Sequence, residues 1–233
     1  MSYTYNNNHL SDINFKLVKN NFPQLRKVKT RVSVVGRNGD IFIDTKAYEN
    51  RVVECEHLSV AFDEGNYLPV YNFFAEGTGE LILDSDKNLK WIVDNIEIED
   101  LDEESFGLVN KFKASFICRP FRKLVVEKTV EITSRASNIV NEGIIECYPN
   151  FEIEPHQYKT DIIATVNGSV FKILNVDGKL GSVTVLGDSK TVLQNGKVLE
   201  TEGEFPKLNK GNNIIVGSES YLSMMMSLNE NYA

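Results

Sequence analysis

Along most of this chain the apolar positions recur with a period of two, not 3.6. Phe106, Leu108, Phe112, Ala114, Phe116 and Cys118 share one parity, interrupted only by Asn110. That is the pattern of a long strand with one buried face. Residues 52–60 read as a second strand. In residues 91–98 the parity switches, from Trp91 and Val93 to Ile96 and Ile98. An extra residue near Asp94 and Asn95, a β-bulge, accounts for such a switch. One segment departs from the β pattern. Residues 65–77 predict a short helix capped by Asn66 and ended by Gly77, with Pro69 in its first turn and Leu68, Tyr71 or Asn72, and Ala75 on one face. Residues 79–83 start another strand, and residues 84–88 form the turn after it.

Pro120 stops strand pairing within Arg119-Pro120-Phe121-Arg122-Lys123. A domain boundary is expected just after it, giving domains 1–123 and 124–233. In the second half, Asn167-Gly168 separates the runs 160–166 and 169–174, and Asn195-Gly196 separates 190–193 and 197–199. Asn-Gly between apolar runs predicts a two-residue hairpin, because a type I′ turn needs positive φ at both central residues. Asp177-Gly178 and Gly187-Asp188 mark further turns. Short strands with frequent turns predict a sandwich or jelly roll. The fold class is mainly β.

A length of 233 residues allows one large or two small domains, each able to close a core. With 42% hydrophobic residues the chain is not disordered. Its apolar runs, such as Asn213-Ile214-Ile215-Val216, are far too short to span a bilayer. The first eight residues have neither the basic start nor the apolar stretch of a signal peptide. Cys55, Cys118 and Cys147 are odd in number and far apart. They read as reduced, buried small hydrophobes in a chain made in a reducing cytosol.

The net charge of -8 argues against affinity for the outside of a nucleic-acid duplex and suits a surface that repels DNA. It is unevenly spread. Residues 16–37 hold seven bases and no acid, and residues 94–104 hold seven acids and no base. Two readings stand: two solvated stretches, or complementary patches that meet between copies or an acidic face lining something.

Candidate chemistry is sparse. Cys55 and His57 share a strand face and have the types of a metal-ligand or nucleophile–base pair, with no further ligand at a matching spacing. A packed strand pair is the simpler account. Asp84, Asp86 and Asn88 open like a calcium loop, but Leu89 stands where the glycine belongs and Asn95 where the closing glutamate belongs. Glu97 and Glu99 are of the type used in glycoside hydrolysis, and a solvated strand rim explains them more simply. Met224-Met225-Met226 reads as a terminal strand with one or two of the three buried, or as an adaptable contact surface. No catalytic, cofactor-binding or metal-ligating residue is expected, and no enzyme.

Val34 to Gly39, Tyr48-Glu49-Asn50-Arg51, Gly79-Glu80-Leu81, Val166-Asn167-Gly168 and Phe205-Pro206, taken together in that order, resemble motifs of the distal tail (Dit) proteins of siphophages. Val34-Val35-Gly36-Arg37-Asn38-Gly39 resembles that family's V-x-G-R-(D/N)-G turn, and Tyr48-Glu49-Asn50-Arg51 its Y-x-(N/D)-R segment. The predicted helix, Gly79-Glu80-Leu81, and the closing stretch from Phe112 to Pro120-Phe121 match in turn. In the second half, Asn141-Glu142-Gly143 with Cys147-Tyr148-Pro149, then Val166-Asn167-Gly168, then the stretch from Gly203 to Ile215 with Phe205-Pro206, are similar to successive family motifs. The resemblance covers nearly the whole chain. It departs at the C-terminus, where Ser227 to Ala233 replace the basic or aromatic pair of many relatives.

The resemblance implies an N-terminal tail-tube-like β-sandwich with one short helix and a C-terminal galectin-like sandwich. It implies a homo-oligomer, a hexameric ring at the virion tail tip, between tail tube protein and tail-associated hub protein and carrying receptor-binding proteins at its rim. DNA passes through without specific binding, and no membrane is involved. Residues 92–101 and 105–118, a hairpin by pattern, are expected to contribute to ring closure through strand edges. The acidic turn between its arms, with Asp100, Asp102, Glu103 and Glu104, is expected to face the lumen or a neighbour. An alternative is a carbohydrate-binding module, with Tyr148, Tyr158 and Tyr221 as stacking platforms.

Overall fold

The computed structural model describes residues 2–59, 68–99, 102–104, 109–156, 158–218 and 221–233, with the backbone alone at 102–104, 109, 110 and 159. The chain divides into two compact units, Met1–Val125 together with Ala233, and Val126–Tyr232.

The first unit contains β1 (Tyr3–Tyr5), β2 (Asn8–His9), β3 (Lys16–Asn20), β4 (Lys27–Val32), β5 (Ile41–Tyr48), β6 (Arg51–Ser59), α1 (Leu68–Phe73), β7 (Gly79–Leu83), β8 (Leu89–Ile98), β9 (Asp102–Glu104), β10 (Val109–Cys118) and β11 (Lys123–Leu124). Nine strands form one antiparallel sheet in the order β2-β1-β7-β8-β10-β6-β3, with β9 on β10 and β11 on β8. In a flat sheet β1 and β6, four places apart, would be separated by roughly 19 Å. Yet Tyr3 Oη lies 2.8 Å from His57 Nε2, and the Tyr3 and Phe116 rings are 5.6 Å apart. The sheet therefore curls until its halves face each other across the core. Alternation does this work: Val53, Cys55 and His57 of β6, and Phe112, Ala114, Phe116 and Cys118 of β10, all point inward.

The parity switch in β8 has the expected cause. Asn95 pairs with Ile117 and Val93 with Cys118, which leaves Asp94 as the extra residue. The helix forms where predicted, with Pro69 in its first turn and Gly77 left-handed at φ 65°. Its buried face differs. Val70, Phe73 and Phe74 are buried, whereas Leu68 and Tyr71 are exposed. Both triplets fit helical spacing, and the two phenylalanines bury the larger apolar area. Asn66 lies outside the described residues.

The second unit contains β12 (Thr129–Glu131), β13 (Ser137–Asn141), β14 (Asn150–Pro155), β15 (Lys159–Val166), β16 (Ser169–Asp177), β17 (Val183–Leu186), β18 (Thr191–Gln194), β19 (Lys197–Val198), β20 (Thr201–Gly203), β21 (Gly211–Gly217) and β22 (Tyr221–Ser227). Two antiparallel sheets, β12-β22-β14-β17-β18-β19 and β13-β21-β15-β16-β20, pack as a sandwich. Phe151, Ile153, Val185 and Met224 of the first meet Ile162, Ala164, Phe171 and Ile173 of the second. Both Asn-Gly hairpins form with positive φ at each central residue, 51° and 86° at Asn167 and Gly168 and 48° and 74° at Asn195 and Gly196. Met224 and Met226 are buried and Met225 faces out, as alternation requires. Gly143 is a position of close approach: a Cβ there would stand 2.8 Å from the Asn231 carbonyl oxygen.

Candidate functional site

The residues whose types could carry chemistry are engaged in packing and turns. His57 is buried, its Nδ1 donating to the Phe112 carbonyl at 3.3 Å and its Nε2 left to accept from Tyr3 Oη at 2.8 Å. Burial lowers its pKa to about 4, against the Phe112 hydrogen bond, which acts the other way. Burial also pushes the Cys55 thiol up to about 12. Both His57 ring nitrogens are engaged in hydrogen bonds, and the Cys55 thiol stays protonated at neutral pH, so neither is poised as a thiolate–imidazole pair. Among the described residues no group of three or more His, Cys, Asp or Glu is arranged to hold a metal. Asp84 to Asn88 form two tight turns, Asp86 N to Leu83 O at 2.9 Å and Leu89 N to Asp86 O at 3.4 Å, and Asp86 receives Arg122 Nη1 at 2.9 Å.

The His57 environment makes stability depend on pH. The unfolded histidine titrates near 6.5 and the folded one near 4, so between these values the unfolded chain binds the extra proton. The contribution is fully present above about pH 6.5 and is lost as pH falls toward 4. Its size is about 3 kcal/mol. Trp91 is the sole tryptophan and is buried in the first unit, so its fluorescence follows that unit. Between pH 7 and pH 4 the wild type is expected to lose about 3 kcal/mol more than His57→Gln. Parallel pH profiles would contradict this.

The three tyrosines differ in their surroundings. Tyr221 is buried with its hydroxyl donating to Ile132 O at 3.2 Å. Lys190 Nζ sits 4.7 Å over the Tyr148 ring. Tyr158 is exposed and stacks on His156 at 5.3 Å.

The predicted closure hairpin exists, as β8 and β10 in antiparallel register from Ala114↔Ile98. β10 lies between β8 and β6, whereas β7 pairs with β8 only at Trp91–Val93, so the second edge of Asp94–Ile98 pairs with no strand among the described residues. The acidic segment is not one turn: Asp102–Glu104 extends the ladder on β10, with Glu104 opposite Val109. Asp100 lies outside the described residues, as do the side chains of Asp102, Glu103 and Glu104. Glu97 and Glu99 are exposed, and Glu99 meets Lys113 at 3.4 Å.

One surface has no core of its own. β4 and β5 form a two-stranded sheet that pairs with no other strand among the described residues. Such a ribbon is at best marginally stable alone. Its tip is the Val34-Val35-Gly36-Arg37-Asn38-Gly39 motif, with Gly36 and Gly39 left-handed at φ 84° and 83°. Val34, Val35, Phe42 and Ile43 are 42%, 103%, 63% and 52% exposed. The apolar run in β5 gave no hint of this at the level of pattern, since a strand buried on both faces looks the same. At its base Tyr48 packs edge-on to Phe121 at 4.9 Å. Arg51 donates to Pro23 O at 3.0 Å through Nε and to Pro120 O at 3.3 Å through Nη1.

Motifs far apart in sequence thus meet in space. Tyr48 and Arg51 grip Pro120-Phe121. In the second unit Asn167 Nδ2 donates to Asn213 Oδ1 at 2.8 Å, while Asn167 Oδ1 accepts from Ile214 N at 3.0 Å. These residues hold the fold.

No family model matches the chain, and no curated protein matches it. Among solved structures it is similar to the crystal structure of the SPP1 Dit protein, described as a paradigm of the hub adsorption apparatus in phages that infect Gram-positive bacteria. The TM-score is 0.71 at 13% identity, covering 100% of this chain and 99% of that one. A second similar structure is the phage p2 baseplate in its activated conformation with Sr, at a TM-score of 0.47 and 9% identity, covering 97% of each chain. Along its whole length, this chain has the fold of the SPP1 Dit protein.

Proposed function

We propose that this chain is a structural ring subunit at the distal end of a phage, or phage-derived, tail. The supporting observation is the full-length likeness to SPP1 Dit, a protein of a phage adsorption hub. Identical copies close by rotation through heterologous contacts, six to a ring. The Met1–Val125 unit forms the ring, and the Val126–Tyr232 unit is a galectin-like sandwich at its outside. Tail tube protein binds above and the tail-associated hub protein below, with receptor-binding proteins at the rim. DNA crosses the central channel without being bound. Asp100, Asp102, Glu103 and Glu104 supply negative charge to the channel or to the contacts between subunits. The role is not catalytic, since the paired groups of enzyme type are locked in packing.

Negative-stain microscopy and mass photometry of the full chain at micromolar concentration test this reading. Rings of six with a central hole are expected. A monomer alone, and still a monomer after mixing with tube and hub proteins, would overturn it.

A further inference from the structure

We propose that Asn38, at the tip of the β4–β5 hairpin, is a site of spontaneous covalent modification to aspartate and isoaspartate. The Gly39 backbone nitrogen attacks the Asn38 side-chain carbon, and water completes the change. The bond from Gly39 N to Asn38 Cγ forms as the bond from Cγ to Nδ2 breaks. The proton given up by the Gly39 amide leaves with the nitrogen of the side chain, as ammonia. Water then opens the cyclic imide. Addition at Cγ restores a normal backbone as aspartate. Addition at the Asn38 main-chain carbonyl carbon routes the backbone through the side chain, as isoaspartate. Glycine favours the attack because no Cβ crowds the nitrogen, and nothing stands within 4 Å of where a Gly39 Cβ would be. The ring reading is not needed for this chemistry.

The chain has three Asn-Gly pairs, Asn38-Gly39, Asn167-Gly168 and Asn195-Gly196. All three asparagines are exposed, so access to water does not separate them. Restraint does. The attack requires the amide nitrogen after the asparagine to swing onto its side-chain carbon. At Asn167 both ends of the carboxamide are held, Nδ2 donating to Asn213 Oδ1 at 2.8 Å and Oδ1 accepting from Ile214 N at 3.0 Å. Its backbone is fixed as well, at positive φ in a two-residue turn closed by the Val166–Ser169 pair. At Asn195 the carboxamide has no hydrogen bond among the described residues, but the backbone is pinned in the same way between Gln194 and Lys197. Asn38 has neither restraint. Its carboxamide has no hydrogen bond among the described residues, and its φ lies outside the left-handed region. The last ladder pair below it is Val32 with Ile41, which leaves residues 33–40 outside the ladder. An exposed loop tip of this kind deforms at little cost. The place also gives the change weight. Residues 26–49 hold six bases against three acids, so each conversion removes a third of the positive surplus of the hairpin. Isoaspartate further lengthens the backbone at the bend by a methylene.

The test follows the full, folded chain over days at neutral and mildly alkaline pH by peptide mass spectrometry that separates isoaspartate from aspartate. Asn38 is expected to convert at least about ten-fold faster than Asn167, which must first break two side-chain hydrogen bonds. It should also convert faster than Asn195. The rate should rise with hydroxide, because the attacking nitrogen gives up its proton. Isoaspartate should accompany aspartate, since direct hydrolysis of the amide yields aspartate alone. In denaturant the three pairs are expected to react at rates within a few-fold of one another, which assigns the difference to the fold. Asn38→Gln should abolish the product at the tip, because the longer side chain closes its ring far more slowly. The side chain is exposed, so the Trp91 fluorescence melt of this variant should match that of wild type. Equal rates at the three pairs in the folded chain would overturn the proposal. So would Asn167 or Asn195 converting first, aspartate at Asn38 with no isoaspartate, or a gap of the same size in denaturant.

Discussion

Arg51→Ala is expected to destabilise the first unit by about 3–5 kcal/mol. Arg51 is 3% exposed, yet its guanidinium has no carboxylate partner among the described residues. It is held by carbonyl oxygens and ring faces. Nε and Nη2 donate to Pro23 O and Nη1 to Pro120 O, while the guanidinium carbon stands 4.4 Å from the Trp91 ring centroid and 5.5 Å from that of Phe22. Desolvation and then the neighbouring Arg122 push its pKa down from the ordinary arginine value. Removing the side chain leaves two carbonyls short of a partner, about 1–3 kcal/mol each, and strips packing from the face of Trp91. Arg51→Lys should recover about half, because one ammonium cannot bridge two carbonyls while lying flat on an indole. Denaturant unfolding followed by Trp91 fluorescence measures this unit directly. An alanine variant within 1 kcal/mol of wild type would mean that water reaches both carbonyls.

This cluster shows which parts of the structure a sequence exposes. Strand parity is a one-dimensional signal, so the inward faces of β6 and β10 and the bulge at Asp94 were legible. The Asn-Gly turns were legible because their backbone demands are local. What Arg51 does was not. It depends on Pro23 and Pro120 arriving from 28 residues before it and 69 after it. The helix was placed correctly, but the choice between its Leu68 and Val70 faces is made by the curled sheet above it. Much the same holds for the hairpin. The apolar residues of β5 look like core residues until the topology leaves the ribbon with no third strand. The pairing of β8 with β10 was legible, whereas the short reach of β7 along β8, which stops at Val93, was not.

The C-terminal segment carries the other large effect, since Glu230→Ala is expected to destabilise the second unit by about 3 kcal/mol. In sequence, Ser227 to Ala233 is a polar tail that departs from the pattern of the resembling family. In the structure Leu228 is buried, Ile144 N donates to Asn231 O at 2.8 Å, and Asn231 Nδ2 donates to Glu146 O at 3.1 Å. Glu230 is the pivot, with its side chain 0% exposed. One carboxylate oxygen accepts from Glu142 N at 2.6 Å, and the other from Tyr232 Oη at 2.6 Å with Lys128 Nζ at 3.3 Å. Burial and then the Glu230 carboxylate raise the Tyr232 hydroxyl to about 12, so it stays a donor at any ordinary pH. Alanine would remove the acceptor of a half-buried amide and of a hydroxyl and leave Lys128 with Glu142 alone. Glu230→Gln keeps an acceptor for the Glu142 amide and loses only the charge, so about half the effect is expected. Because the second unit has no tryptophan, the loss should appear in circular dichroism while the Trp91 melt stays in place. Equal melting of the alanine variant and wild type would show the tail to be dispensable, and a shift of both signals would show that the two units do not unfold independently.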